Sequence, residues 1–144
     1  MPMIDVTVPK GALSPAVRDD LVKKLTNCLL KWEGAEVESP AAQAIAWVYV
    51  HEMEAGAFYV GGAAPAAPRF RLEVTTPQDM LDDERRAGLV GEIAGILEAT
   101  VGAPARGLNH WVLLKEIKDG GWGTAGRIFR KSDIQAAVRS GATA

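Results

Sequence analysis

Polar and apolar residues alternate over 3–8 (MIDVTV) and stop at Pro9, the pattern of a half-buried strand. Val17, Leu21, Leu25, Cys28, Leu29 and Trp32 then recur at helical spacing, which predicts an amphipathic helix with one apolar face. Ser14-Pro15 marks its start, with Ser as cap and Pro at the first helical position, and Gly34 marks its stop. AIAWVYVHEM (44–53) reads as a second strand, and AGAFYVGG (55–62) as a turn and short hairpin. GGAAPAAP (61–68) has linker composition. A third strand, RFRLEVT (69–75), follows. Asp82 caps a second helix whose apolar face is Leu89, Val90, Ile93, Ile96 and Leu97, and HWVLLKEI (110–117) is a fourth strand. KSDIQAAVR (131–139) suits a short helix, with SGATA as a frayed end.

The pattern is written twice. Sliding the chain by 68 positions lays residues 4–30 on 72–98 without a gap, and eight of the 27 pairs are identical, Pro9/Pro77, Arg18/Arg86 and Leu21/Leu89 among them. Beyond the helix the offset becomes 64, and WVYVHEMEAGAFYVGG (47–62) lies on WVLLKEIKDGGWGTAG (111–126). Most matches are apolar or turn positions, so the architecture itself repeats. Each half reads strand, helix, strand, and such a unit pairs its strands in parallel with a right-handed crossover. The expectation is one α+β domain over 1–144. It comprises a first β-α-β half at 2–62, a second at 69–130 and a short C-terminal helix and tail at 131–144. Four strands form a mainly parallel-paired sheet with two helices on one face. The other face, carrying Trp47, Tyr49 and Trp111, is left bare. That points to burial against further copies of the chain in a closed cyclic oligomer.

Composition narrows the function. Of the 144 residues 48% are hydrophobic, enough for a real core, and the net charge of −2 comes with no basic block, which disfavours nucleic acid as partner. No apolar run approaches membrane-spanning length, and Asp5 and Lys10 interrupt the amino terminus, so no signal peptide is expected and the chain reads as cytoplasmic. Cys28, the one cysteine, sits at an apolar helical position and reads as a small core residue. It and two histidines give no metal-ligand spacing, and no cofactor is indicated.

Pro2 stands directly behind Met1 at the head of a strand. Proline is tolerated there. The second copy, however, has Phe70 at the matching place, so the fold does not require a proline. If Met1 is removed, Pro2 becomes a secondary amine able to act as an acid or base. An α-amino group has a pKa of about 7.7–8, and an apolar pocket with cations nearby lowers it toward the value a general base needs.

A proline after Met1, a first strand ending in Val8-Pro9, paired strand–helix–strand halves and the closing GWGTAGR (121–127) together resemble the tautomerase superfamily. Its members include 4-oxalocrotonate tautomerase, macrophage migration inhibitory factor, malonate semialdehyde decarboxylase and the 3-chloroacrylate dehalogenases. The resemblance covers roughly 2 to 130. It implies a β-α-β repeat fold, a homotrimer for double-length members, and a free amino-terminal proline as catalytic acid or base. Because only Pro2 fills that role, it also implies one site per chain.

The chain departs from its short relatives where they hold a dicarboxylate. The arginine places of 4-oxalocrotonate tautomerase are occupied by Ala12 and Trp47 in the first half, and by Met80 and Trp111 in the second. Arg69 and Arg71 flank Phe70 and share a sheet face, resembling the arginine pair with which the decarboxylase and the cis-acting dehalogenase bind a carboxylate. The alternative is that both are solvated strand charges, paired with Glu73 or with a neighbouring subunit. Trp122 is a candidate apolar wall. Phe58 falls at the place of the active-site phenylalanine of 4-oxalocrotonate tautomerase. Either aromatic could instead only seal a subunit contact. Arg127 is assigned to a substrate or to a subunit salt bridge. The water-activating histidine and glutamate of the cis-acting dehalogenase are replaced by Cys28 or Leu29 and by Thr124 or Ala125, none of which can do that work. The decarboxylase's aspartate has Glu36 and Glu38 in its neighbourhood. His51 reads as solvated, and His110 has no assigned role. The expected function is keto–enol tautomerisation of a small 2-oxo acid, with Pro2 moving the proton, Arg69 and Arg71 holding the carboxylate and Trp122 shielding the site. The alternatives are decarboxylation or hydration of a small β-keto or unsaturated acid, and a trimeric scaffold without catalysis.

Overall fold

The computed structural model describes residues 2–104 and 106–140; Met1 and the tail beyond Ser140 lie outside the described residues. Strand β1 (Met3–Pro9) leads to helix α1 (Pro15–Trp32). Ser14 caps α1 by accepting from the Val17 N–H, Pro15 occupies its first turn, and Gly34 takes a left-handed φ of 78° just past its end. Helix α2 (Pro40–Ile45) and strand β2 (Trp47–Met53) complete the first half. The second half is β3 (Phe70–Pro77), α3 (Asp83–Val101), β4 (His110–Ile117) and a hairpin of β5 (Gly123–Thr124) and β6 (Arg127–Ile128), and α4 (Lys131–Ser140) follows.

The sheet order is β2-β1-β3-β4. β1 and β2 pair in parallel, as do β3 and β4, while the two halves join through the antiparallel pair β1–β3. The core lies between one sheet face and α1 with α3. Ile4, Val6 and Val8 of β1 and Leu72 and Val74 of β3 point inward against Leu21, Leu25, Leu89, Ile93 and Leu97. The helices cross tightly: a Cβ at Gly88 would fall 2.1 Å from Trp32 Cη2, so only glycine fits there. Cys28 is buried in this core, and burial, with Glu92 adding to it, pushes its thiol up to about 12, which keeps it unreactive.

The other sheet face is bare. Trp47, Tyr49 and Trp111 are 52%, 44% and 64% exposed, as the period-2 pattern predicts. His51 lies on this face within β2. It is bonded to Asp5 at 2.6 Å and stacked on Tyr49, so it is not simply solvated.

Two elements differ from expectation. Residues 44 and 45 belong to α2, not to the strand. Ser39-Pro40 repeats the cap-and-proline signal of Ser14-Pro15, and Ala41, Ala42 and Ile45 turn inward. The first-half hairpin at 55–62 is reduced to a turn and a single bridge, Val60–Ala63, whereas the second half forms the short hairpin proper. There Ala125 and Gly126 both have positive φ, as a tight two-residue hairpin turn demands.

Candidate active site

Pro2 is buried, and its carbonyl accepts the Trp47 N–H at 3.1 Å. By strand alternation it faces the helices with Ile4 and Val6. Because β1 and β3 are antiparallel with Met3 opposite Thr75, while β1 and β2 are parallel with Met3 opposite Trp47, Pro2 lies between the amino end of β2 and the carboxyl end of β3, with the carboxyl end of β4 one strand farther. The chain reverses after β3 into α3, so the amino-terminal end of a 19-residue helix closes the same end of the sheet. The carboxyl end of α1 arrives from the other half: Gly34 lies beside Arg85, whose two terminal nitrogens are 3.8 Å from a Cβ built on that glycine.

This geometry separates Pro2 from the arginines expected to serve it. Arg71 pairs with Thr7, five residues along β1 from Pro2 and therefore roughly 17 Å away at the usual rise per strand residue. Arg69 is two residues farther. Both alternate with the inward-facing Phe70 and Leu72, and so belong to the bare face, not to the face of Pro2. Arg71 is held by Glu73 at 2.6 Å, which also takes Lys115 at 2.6 Å, and Arg69 bonds only to the carbonyls of Ala67 and Pro68. Within one chain neither reaches Pro2. The antiparallel joint of the halves, which the repeat does not specify, is the reason. Phe58 follows β2, whose carboxyl end pairs with Pro9, and so it too lies at the far end. Arg127 rests over the Phe129 ring at 5.2 Å.

Trp122 is at the near end. It is 7% exposed and packs with Ile45, Phe129 and Ile134, and Met3, the residue after Pro2, packs against this group. Three side chains that sequence reading passed over join it there. Arg85 donates to the Met80 carbonyl at 3.4 Å and forms no ion pair among the described residues. Arg86 is held by Glu116 at 2.8 Å, a hydrogen bond that raises its pKa, and lines a groove of about 380 Å³ with Thr76 and Leu81. Glu33, at the end of α1, has a buried Oε1 with no hydrogen-bond partner. Burial raises its carboxyl to about 7, while the positive charge of the chain's amino terminus pulls it the other way. Glu36 and Glu38 are exposed. The one legible signal for Arg85 was its departure from the repeat, where Val17 occupies the equivalent place. No group of described residues forms a metal cluster, and no helix among them is long and apolar enough to cross a membrane.

The fold is tautomerase/MIF-like, as the sequence resemblance implies. The solved structure of Pt0534 inactivated by 2-oxo-3-pentynoate superposes with a TM-score of 0.74 at 21% identity over 88% of this chain and 94% of that one. A fused 4-OT symmetric trimer gives 0.72 at 21% identity over 88% and 94%. N1, a member of the cis-3-chloroacrylic acid dehalogenase family, gives 0.73 at 15% identity over 88% and 82%. At these identities the likeness is one of fold. No protein-family model and no curated protein sequence matches the chain.

Proposed function

We propose that the protein is a tautomerase-type enzyme in which Pro2, freed by loss of Met1, moves a proton on a small 2-oxo acid. The observation that carries this reading is the setting of Pro2. It is buried at one end of the sheet, where the amino end of α3 and Arg85, which forms no ion pair among the described residues, offer positive charge to a carboxylate. In this reading Arg85 takes the anion-holding role first assigned to Arg69 and Arg71. Trp122 walls the site, and Arg86, already engaged by Glu116, sets the field around it. The bare sheet face with its three exposed aromatics supports a trimer, the assembly of the fused 4-OT structure.

Glu33 adds a second proton site. Once Met1 is lost, a carboxylate at this place would favour the ammonium form of the new amine. That same feature favours a second reading, decarboxylation or hydration, in which a protonated Pro2 polarises a carbonyl. Ultraviolet assays of phenylpyruvate and 2-hydroxymuconate tautomerisation, with Pro2→Ala as control, test the leading reading. Full activity in the variant overturns it. Carbon dioxide release from malonate semialdehyde would favour the second. A native mass retaining Met1 would leave Pro2 without a free amine and favour a non-catalytic scaffold.

A further inference from the structure

The repeat sets the same residue types on the outer flank of each half: an arginine on the helix, then an apolar residue and a glutamate on the edge strand. They are Arg18, Val50 and Glu52 in the first half and Arg86, Leu114 and Glu116 in the second. In the second half the flank is closed. Arg86 donates to Glu116 at 2.8 Å and to Asp83 at 3.3 Å. In the first half Pro15 stands at the place of Asp83, and neither Arg18 nor Glu52 forms an ion pair among the described residues. They line instead a groove of about 580 Å³, within the roughly 300–1,000 Å³ of small-molecule sites.

The groove is furnished as well as open. Asp19, Lys23 and Thr26 line it where the second half has Ala87, Gly91 and Ala94. Asp19 and Lys23 add one charge of each sign, and neither is ion-paired among the described residues. Thr26 donates to the Val22 carbonyl at 2.9 Å. The Gln43 amide nitrogen donates to Asn27 at 2.9 Å and to the Val37 carbonyl at 2.7 Å, which fixes its oxygen as an acceptor. These residues fall in an order. Arg18 and Glu52 stand at one end, as the bond between their counterparts indicates. Val22, one turn along α1, and Val50, on the same face of β2 as Glu52, make an apolar middle. Thr26, a further turn on, and Gln43 make a neutral end. Glu52 pairs with Val8, so the charged end lies far from Pro2, at the free edge of the sheet.

We propose that this groove binds the zwitterion of a free α-amino acid with a neutral aliphatic side chain. Its carboxylate would sit on the Arg18 guanidinium and its ammonium on Glu52. The hydrocarbon would cover Val22 and Val50. The four charges of the groove cancel, so a lone anion is repelled by Asp19 and Glu52, and a lone cation by Arg18 and Lys23. A ligand carrying both signs at one end meets a partner for each. The proposal stands independently of the tautomerase reading.

Leucine is the probe, with 4-methylpentanoate, which lacks its ammonium, and 3-methylbutylamine, which lacks its carboxylate, as controls. In spectra of the ¹³C-labelled full chain, the Val22 and Val50 methyl signals should move and saturate as leucine is added, while Leu114 on the closed flank stays still. Val22 and Val50 signals unmoved at about 10 mM leucine overturn the proposal, and this wild-type titration does not depend on how any variant folds. By calorimetry leucine should bind at least about tenfold more tightly than either control, and equal binding of all three overturns the zwitterion. Arg18→Gln and Glu52→Gln should each weaken leucine binding about tenfold, and Glu116→Gln by less than about twofold. A loss in Glu116→Gln as large as in Glu52→Gln, or no loss in either groove variant, also overturns it.

Discussion

The two ends of the sheet are related by the internal repeat, yet they are chemically unlike. At one end stand Pro2, Glu33, Arg85 and Trp122. The repeat sets Phe70, Val101, Val17 and Phe58 at the equivalent places. Phe70 is buried in the main core, Val17 and Val101 pack against it, and the Phe70 nitrogen is an amide spent on the Asn109 carbonyl at 2.9 Å. Phe58, the partner of the enclosed Trp122, is 38% exposed. One end of a duplicated scaffold is therefore filled with hydrocarbon and serves stability. The other keeps a potential amine, a raised carboxyl and, among the described residues, a cation without an ion pair and an unmet donor. Groups of that kind are expensive to enclose, and their concentration at one end argues for use.

The contrast can be broken most sharply at the paired positions 2 and 70. Pro2→Ala should lower kcat/KM for 2-oxo acid tautomerisation by at least about 100-fold, the usual weight of a positioned acid or base. Phe70→Leu should leave it within about twofold while lowering the melting temperature, because that ring only packs. Comparable losses in both would erase the distinction.

The arginines give the next largest effect. Arg85→Ala should raise KM about tenfold through loss of a charge-assisted contact, whereas Arg71→Ala, on the far face with Glu73, should change it by less than about twofold. The reverse order in steady-state kinetics would restore the strand pair and require a neighbouring copy to bring it to Pro2.

Glu33 gives a subtler effect with a definite sign. Its carboxyl is raised from 4.5 to about 7 in the folded chain, so folding favours its protonated form and stability falls as pH rises through that window. At pH 8 Glu33→Gln should be more stable than the parent, by at most about 3 kcal/mol on chemical denaturation, and equal to it below pH 4. Removing the carboxylate also removes support for the ammonium of Pro2, so the acid limb of kcat/KM should move to lower pH. An unmoved limb would detach Glu33 from the amine.

Much of this was legible from the chain. Strand alternation, the Ser14 and Asp82 caps and the two-block repeat lead to the observed sheet and its bare face. The partners of Pro2 were not legible, for physical reasons. A repeat shows that two halves are alike but not whether they meet head to head, and the antiparallel β1–β3 joint sets Arg69 and Arg71 at the far end of the sheet from the Pro2 of their own chain. Arg85 reaches the site from the other half's helix, and Glu33 matters because its oxygen is sealed off, which no local pattern reveals. Helix α2 was hidden because a run of Ala and Ile serves strand and helix equally well.

The central claim is that each chain carries one reactive end, with Pro2 as its amine. 2-Oxo-3-pentynoate, the reagent that inactivates Pt0534, has an electrophilic alkyne that a neutral secondary amine attacks, forming an N–C bond while a proton passes to the adjacent carbon. Peptide mass mapping after treatment should find one adduct per chain, on the peptide beginning at Pro2, together with loss of activity. An unmodified Pro2 with its amine free, or labelling confined to lysines, would contradict the account.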